Sequence, residues 1–164
     1  MPADLTAVRQ KVEQLLLDKD IKLQVTKDNI SIPYESTRVF VLISPFGDDR
    51  SVVNLRGVVG IDVPISDELK RWIADKSAAF LFGHPAYFEM DGKAVVEFRH
   101  NLLADFLDPD ELLIAVACVA NSANDLDDEV HQKFGGRRFT DEVPPAQATA
   151  PIPPPPAPAE PPAS

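Results

Sequence analysis

The sequence predicts an α+β domain in which three helices pack on an antiparallel sheet of about five strands. Five short segments are rich in β-branched and aromatic residues or alternate apolar with polar ones, as strands do. Three other segments have the apolar spacing of helices, which gives the order α-β-β-β-α-β-β-α. Successive strands interrupted by single helices are typical of the α+β class.

The first part of the chain is predicted to contain one helix and three strands. The helix covers residues 3–18, with Asp4 in its first turn, where the helix dipole favours a negative charge. Strands are expected at residues 29–34, 37–44 and 51–63. The buried stripe of the helix is formed by Leu5, Val8, Val12, Leu15 and Leu16.

A second helix and a hairpin follow. Ser66 is a good N-cap for a helix over residues 67–79. Residues 84–90 and 93–103 are predicted to pair as a hairpin, because Asp91-Gly92 between two alternating runs favours a tight turn.

The last helix has the most regular pattern in the chain. Asp108 can cap it, Pro109 suits its first position, and Glu111 can reach back to the cap. Its apolar seam consists of Leu112, Val116, Val119, Ala123, Leu126 and Val130.

Residues 122–139, SANDLDDEVHQKFGGRRF, have the residue types of a metal or phosphate site. Asp127 and His131 are four residues apart and can face each other, but two ligands hold a metal only weakly. Glycines that hold phosphate precede a helix, whereas Gly135-Gly136 follow one. We interpret the stretch as the end of an amphipathic helix with its acids on a solvated face, and expect no metal and no cofactor.

The chain is expected to divide into a folded domain at residues 1–142 and a proline-rich tail at residues 143–164. The tail contains 10 of the 16 prolines and Glu160 as its one charged residue. Such a segment cannot bury enough apolar surface to offset its ordering entropy, so we expect it to be disordered or extended.

Charge and cysteine content exclude several classes. A net charge of −10 argues against nucleic acid and against an anionic membrane surface. No apolar run is long enough to insert into a membrane, and no secretory signal is recognised. Cys118 is the single cysteine, which rules out an internal disulfide and fits a reduced, cytoplasmic location.

No arrangement of titratable or nucleophilic residues suggests catalysis. His84 and His100 are expected on separate strands of the hairpin, and no carboxylate or cysteine pattern joins them. Cys118 lies inside a good helix, where a buried, inert thiol is expected. We therefore expect a protein that is not an enzyme.

The strands at 37–44 and 51–63 are partly apolar on both faces, whereas 94–99 is expected to be one-sided. The helices can cover one face of the sheet, so a partner is expected on part of the other. The residues predicted to contact a peptide client or a second subunit are Phe40, Leu42, Trp72, Phe80 and Phe82.

The element order and the end of the last helix resemble a known family. Leu126-Asp127-Asp128-Glu129, followed by Phe134-Gly135-Gly136-Arg137, is similar to the close of the final helix in YbjN-like domains. These domains are related to the type III secretion chaperones, and the resemblance covers about residues 3–140. It implies a small, acidic homodimer without enzymatic activity that holds an extended client segment on apolar surface and at sheet edges.

Two functional hypotheses follow. The first is a cytoplasmic, homodimeric, chaperone-like protein that binds a peptide or protein client. The alternative is an adaptor or regulator that docks its proline-rich tail, residues 143–164, into an aromatic groove of a partner. Loss of the tail would abolish binding by an adaptor and leave a chaperone with its client.

Overall fold

A computed structural model describes residues 3–140 of the chain. The predicted tail at residues 143–164 lies outside these residues, and the boundary at 142 stays a prediction. A short 3₁₀ turn occupies Ala104–Phe106. The helices are α1 (Leu5–Leu17), α2 (Asp67–Ser77) and α3 (Pro109–Phe134), and the strands are β1 (Gln24–Val25), β2 (Ile30–Tyr34), β3 (Thr37–Phe46), β4 (Arg50–Val63), β5 (His84–Met90) and β6 (Lys93–Leu103).

All described strands belong to one antiparallel sheet with the order β1-β2-β3-β4-β6-β5. The α+β prediction is confirmed, with one additional strand. That strand, β1, is two residues long, and a pair of residues has no periodicity for a sequence pattern to reveal. The second predicted strand also continues beyond residue 44, since β3 pairs with β4 as far as Phe46 and Arg50.

The three helices share one core with a single face of the sheet, which we call the helix face. Side chains of this face alternate along each strand, as Val39 and Val41 do in β3. Close approach of α3 to β4 depends on Gly57, because a Cβ atom there would lie 2.6 Å from the Cβ of Ala123. Fully buried residues of this core include Val12, Leu16, Val39, Leu55, Leu69, Phe98, Leu112, Val119 and Val130.

The predicted helix caps are found with small changes. Asp4 precedes α1 as its N-cap, where we expected it in the first turn, and its side chain accepts from the amides of Thr6 and Ala7. For α3, Asp108 Oδ1 accepts from the amide of Asp110 at 2.9 Å. Ser66 Oγ caps α2 by accepting from the amide of Leu69 at 3.1 Å.

The opposite face of the sheet, which we call the open face, has no helix on it within residues 3–140. One end of the open face is nevertheless inaccessible to solvent, because Val58, Phe88 and Val95 are buried there outside the main core. The prediction that residues 94–99 are one-sided is therefore wrong: Val95 and Glu97 are as inaccessible as their helix-face neighbours. Alternation of residue type could not reveal this, because the pattern of one strand does not report what covers each of its faces.

Candidate functional site

Strand β3 places two of the predicted contact residues together on the open face. Phe40 and Leu42 are half-buried there, next to Arg56 and Asn54 of β4, which are their partners in register. Further along the same face Phe46 is 54 % exposed, and Leu103 on β6 is also exposed. A row of apolar side chains thus reaches the surface on a part of the sheet that no described helix covers.

The outer edge of β3 is free over its second half. Pairing with β2 ends at Ile30 and Val41, whereas β3 continues to Phe46. Residues 42–46 therefore have no strand partner on that side among residues 3–140. Pro45 has no N–H to offer, which limits the length of any strand that could add there.

A groove lies beside this free edge. Its volume is about 670 Å³, and it runs between Val41–Ile43 and the side of α1 that carries Leu5, Arg9 and Glu13. Residues 26–28 also line it. An extended peptide lying here would meet both unpaired backbone and apolar side chains, which is the combination that strand addition requires.

Arg9 fixes the wall of this groove. Its Nη1 donates to the carbonyl oxygen of Lys27 at 2.7 Å, and its Nη2 donates to that of Thr26. A guanidinium with several donors in one plane can hold two carbonyls at once. Arg9 therefore joins helix α1 to the loop before β2, and this contact does not use the free edge of β3.

The glycines after α3 direct the chain back to the sheet. Gly135 and Gly136 both have positive φ, at 80° and 78°, and a Cβ atom at Gly136 would lie 2.6 Å from the carbonyl oxygen of Ile61. Arg137 then pairs with Ile61 through two backbone hydrogen bonds of 2.9 Å. Phe139 follows and packs edge-on against Phe40, with ring centroids 6.1 Å apart. Phe40 is thus partly covered by its own chain.

Acidic residues within 122–139 hold the segment that follows α3 against the sheet. Asp127 is buried and accepts from the hydroxyl of Ser36, while Asp128 pairs with Arg138. Burial raises the pKa of Asp127, and the hydrogen bond from Ser36 partly opposes that shift. The prediction that these acids lie on a solvated face is therefore wrong for Asp127, although the stretch is the end of a helix as predicted.

Trp72 of α2 packs against α3 and is buried by its own chain. It is 8 % exposed, and its ring packs edge-on against Phe134 at 5.7 Å. Its indole N–H donates to Glu129 at 2.9 Å, and Lys76 and Lys133 reach the same carboxylate at 2.7 Å. Burial alone would raise the pKa of Glu129, but these three donors outweigh it and bring the pKa to about 2.

Phe80 and Phe82 lie on the helix side, away from Phe40 and Leu42. Phe80 packs edge-on against Phe98 of the core, with centroids 4.8 Å apart, so part of its ring is used internally. Phe82 is 52 % exposed and lines two adjoining grooves of about 430 and 420 Å³ with Ile114 and Cys118 on the flank of α3. The five predicted residues therefore occupy three separate places.

Sequence reasoning missed a cluster of arginines on the open face. Glu97 is 3 % exposed, and its Oε2 accepts from Arg99 Nε at 2.9 Å with Arg56 Nη1 at 3.9 Å. Arg38 lies on the same face two residues before Phe40, with its guanidinium 5.3 Å from the ring of Phe139. Arg56 and Arg99 are 43 residues apart in sequence and meet through strand register alone, so no local motif could have identified the cluster.

The described residues offer little for metal chemistry or membrane insertion. Within residues 3–140 no group of three or more His, Cys, Asp and Glu side chains is placed to hold a metal ion. His131 does not face Asp127, since its Nδ1 lies 2.8 Å from the carbonyl oxygen of Gly136. None of the helices described combines the length and apolar character that a membrane span requires.

Comparison with known proteins gave one family. A family model described as the T3SS (YopN, CesT) and YbjN peptide-binding chaperone 1 family matches residues 5–142. A comparison with curated proteins gave no match. The matched region takes in every helix and strand described above.

Proposed function

Because the chain belongs to the family of type III secretion and YbjN peptide-binding chaperones, we propose that it binds an extended segment of a client protein along strand β3. The observation that carries this proposal is the free edge of residues 42–46, which lies beside a groove of about 670 Å³. Phe40 and Leu42 supply apolar contacts on the adjoining open face. The protein acts by binding alone and has no enzymatic activity.

The proposed mode is strand addition. Backbone groups of the client pair with the free edge of β3, which gives affinity without regard to sequence. Alternate client side chains then point toward α1 on one side and toward the open face on the other, because strand side chains alternate. Selection among clients comes from these side chains.

Synthetic peptides test the backbone part of this mode. We expect the full-length protein to bind an extended apolar peptide of about ten residues, measured by calorimetry. N-methylation of every second peptide amide should reduce the affinity by about tenfold or more, because a methylated amide cannot donate to the strand edge. N-methylation of the other set, whose amides point away from β3, is the matched control and should have a small effect.

Two matched substitutions locate the site. Phe40→Asp places a charge on the open face and should weaken peptide binding strongly, whereas Phe82→Asp makes the same change on the flank of α3 and should not. Circular dichroism would confirm that both variants fold. Loss of binding with Phe82→Asp alone would move the site to the grooves beside α3 and refute our assignment.

We further propose that the protein is a cytoplasmic homodimer. The dimer is supported by the apolar surface that remains on the open face within residues 3–140, because large exposed apolar patches mark interfaces. Sedimentation velocity at several concentrations tests the dimer. A monomer at every concentration would leave the whole open face for the client.

A further inference from the structure

We propose that the client segment taken by the open face is acidic, and that Arg56, Arg99 and Arg38 receive its carboxylates. This inference rests on the proposed peptide-binding function and adds the chemical class of the client. Pairing with the backbone of a strand edge does not depend on the charge of the client's side chains. Any selection of clients by charge must therefore come from side chains on the adjoining open face.

Within residues 3–140, the three arginines carry more positive charge than the carboxylates that contact them. Arg56 and Arg99 share a single carboxylate, Glu97, which contacts Arg99 and lies at the limit of ion-pair distance from Arg56. Arg38 instead donates to the neutral side chain of Gln24 at 2.6 Å. Within the described residues, the open face therefore has an excess of positive charge at this place in a chain whose net charge is −10.

Two of these guanidinium groups have buried donors without an acceptor. Arg38 Nε and Arg99 Nη2 are inaccessible to water and have no hydrogen-bond partner within residues 3–140. A buried donor left unpaired costs about 1–3 kcal/mol, and more when the group is charged. Within the described residues, Arg38 and Arg99 are therefore not fully supplied with hydrogen-bond acceptors.

Strand register aligns the cluster with the apolar contact residues. Phe40, Arg56, Arg99 and His84 are consecutive cross-strand partners on β3, β4, β6 and β5. Arg56 and Arg99 are thus like charges placed directly opposite each other, an arrangement that destabilises a sheet, and among the described residues Glu97 is the carboxylate that offsets it. Burial lowers the pKa of Arg56, Glu97 partly opposes this, and Arg99 adds to it. An acidic residue next to an apolar one in the client would meet both kinds of contact.

Three peptides of one sequence test the inference with the full-length protein. They differ at two positions, which carry Glu, Gln or Lys beside apolar residues. We expect the Glu peptide to bind at least tenfold tighter than the Gln peptide, the Lys peptide to bind weakest, and the difference to shrink as salt is raised. Equal affinity for Glu and Gln peptides would overturn the inference while leaving the proposed function intact. Failure of all three to bind would instead refute the proposed function.

Substitutions then assign the preference to the cluster. Arg56→Gln with Glu97→Gln keeps the net charge and avoids a buried unpaired carboxylate, and it should abolish the Glu preference. Lys70→Gln on the exposed side of α2 removes one positive charge elsewhere and is the control. A Glu preference that survives the double substitution would overturn the assignment to this cluster.

Two further measurements address other occupants of the face. If the double substitution converts a dimer to a monomer without changing peptide binding, the cluster serves a second copy of the chain. If the Glu peptide binds only after Asp141→Asn and Glu142→Gln, the cluster is satisfied by the chain's own acids. Either result would contradict an acidic client.

Discussion

Glu129 is a partly buried acid with three hydrogen-bond donors around it. It joins α2 to α3 by accepting from Trp72, Lys76 and Lys133, and its pKa is about 2 as a result. Charge-assisted hydrogen bonds of this kind are stronger than neutral ones. The acid is the fourth residue of the Leu126–Glu129 motif, so one motif position has a clear structural role.

This pKa predicts a specific dependence of stability on pH. The folded pKa of Glu129 lies below its ordinary value of 4.5, so the carboxylate stabilises the fold above about pH 4.5 and this contribution is lost as the pH falls toward 2. Glu129→Gln should cost about 1–3 kcal/mol at pH 7. Urea denaturation at pH 7, 5, 4 and 3 should show that the difference from the wild type shrinks with acidification. A difference that stays constant over this range would contradict the assignment.

Residue patterns predicted most of what is local and missed what depends on distant partners. The caps at Asp108 and Ser66 were correct because a cap is set by its immediate neighbours. Asp127 was placed on a solvated face because its partner, Ser36, is 91 residues away. The arginine cluster was missed for the same reason.

At the scale of elements, the contact of α3 with β4 is the most extensive contact between a helix and the sheet. Helix α3 runs across the helix face with Val119 and Ala123 against Gly57, where there is no room for a Cβ atom. The absence of a side chain at this one strand position lets the helix backbone approach the sheet. The register shifts of β4 lie further along, after Val58.

Substitution at this contact provides a direct test. Gly57→Ala should destabilise the protein by about 1–3 kcal/mol, because the added methyl group overpacks the helix–sheet contact. Ala123→Gly alone should cost about 1 kcal/mol through helix propensity. In the double variant, removal of the Ala123 methyl group relieves the clash, so chemical denaturation should give a loss smaller than the sum. A strictly additive loss would contradict the proposed contact.

The predicted strand boundaries agree with the structure in the β5–β6 hairpin and differ from it in β3, where we propose that the client binds. The hairpin of β5 and β6 has the predicted ends because Asp91-Gly92 fixes its turn. Strand β3 was predicted to end at residue 44, yet pairing with β4 continues to Phe46. The free edge exists because β3 extends beyond the end of its pairing with β2. The residue pattern of one strand does not reveal where its neighbour ends.

At the scale of the molecule, the covering of the two sheet faces is unequal. All three helices contribute to the core on the helix face, whereas the described cover of the open face includes the short segment around Phe139. The sequence predicted this imbalance from apolar residues on both faces of β3. The five predicted contact residues nonetheless lie in three separate places. Aromatic side chains occur both in cores and on surfaces, so their presence in a sequence does not distinguish the two.

The proposed dimer belongs to this scale, and a substitution can locate its interface. If the open face joins two copies, Leu42→Asp should shift the sedimentation coefficient from dimer to monomer and weaken peptide binding. If the grooves on the flank of α3 join them, Leu81→Asp, at a side chain that is 88 % exposed, should do so instead. A dimer that is unaffected by both substitutions would contradict a role for either surface in assembly.

Hydrogen–deuterium exchange of the full-length protein, with and without a bound peptide, tests the central claim most directly. Addition of a client strand predicts that amide exchange slows within residues 42–46 of β3 when peptide is present, with little change at residues 80–82 or on α3. Protection confined to residues 80–82 and α3, with β3 unchanged, would contradict the account.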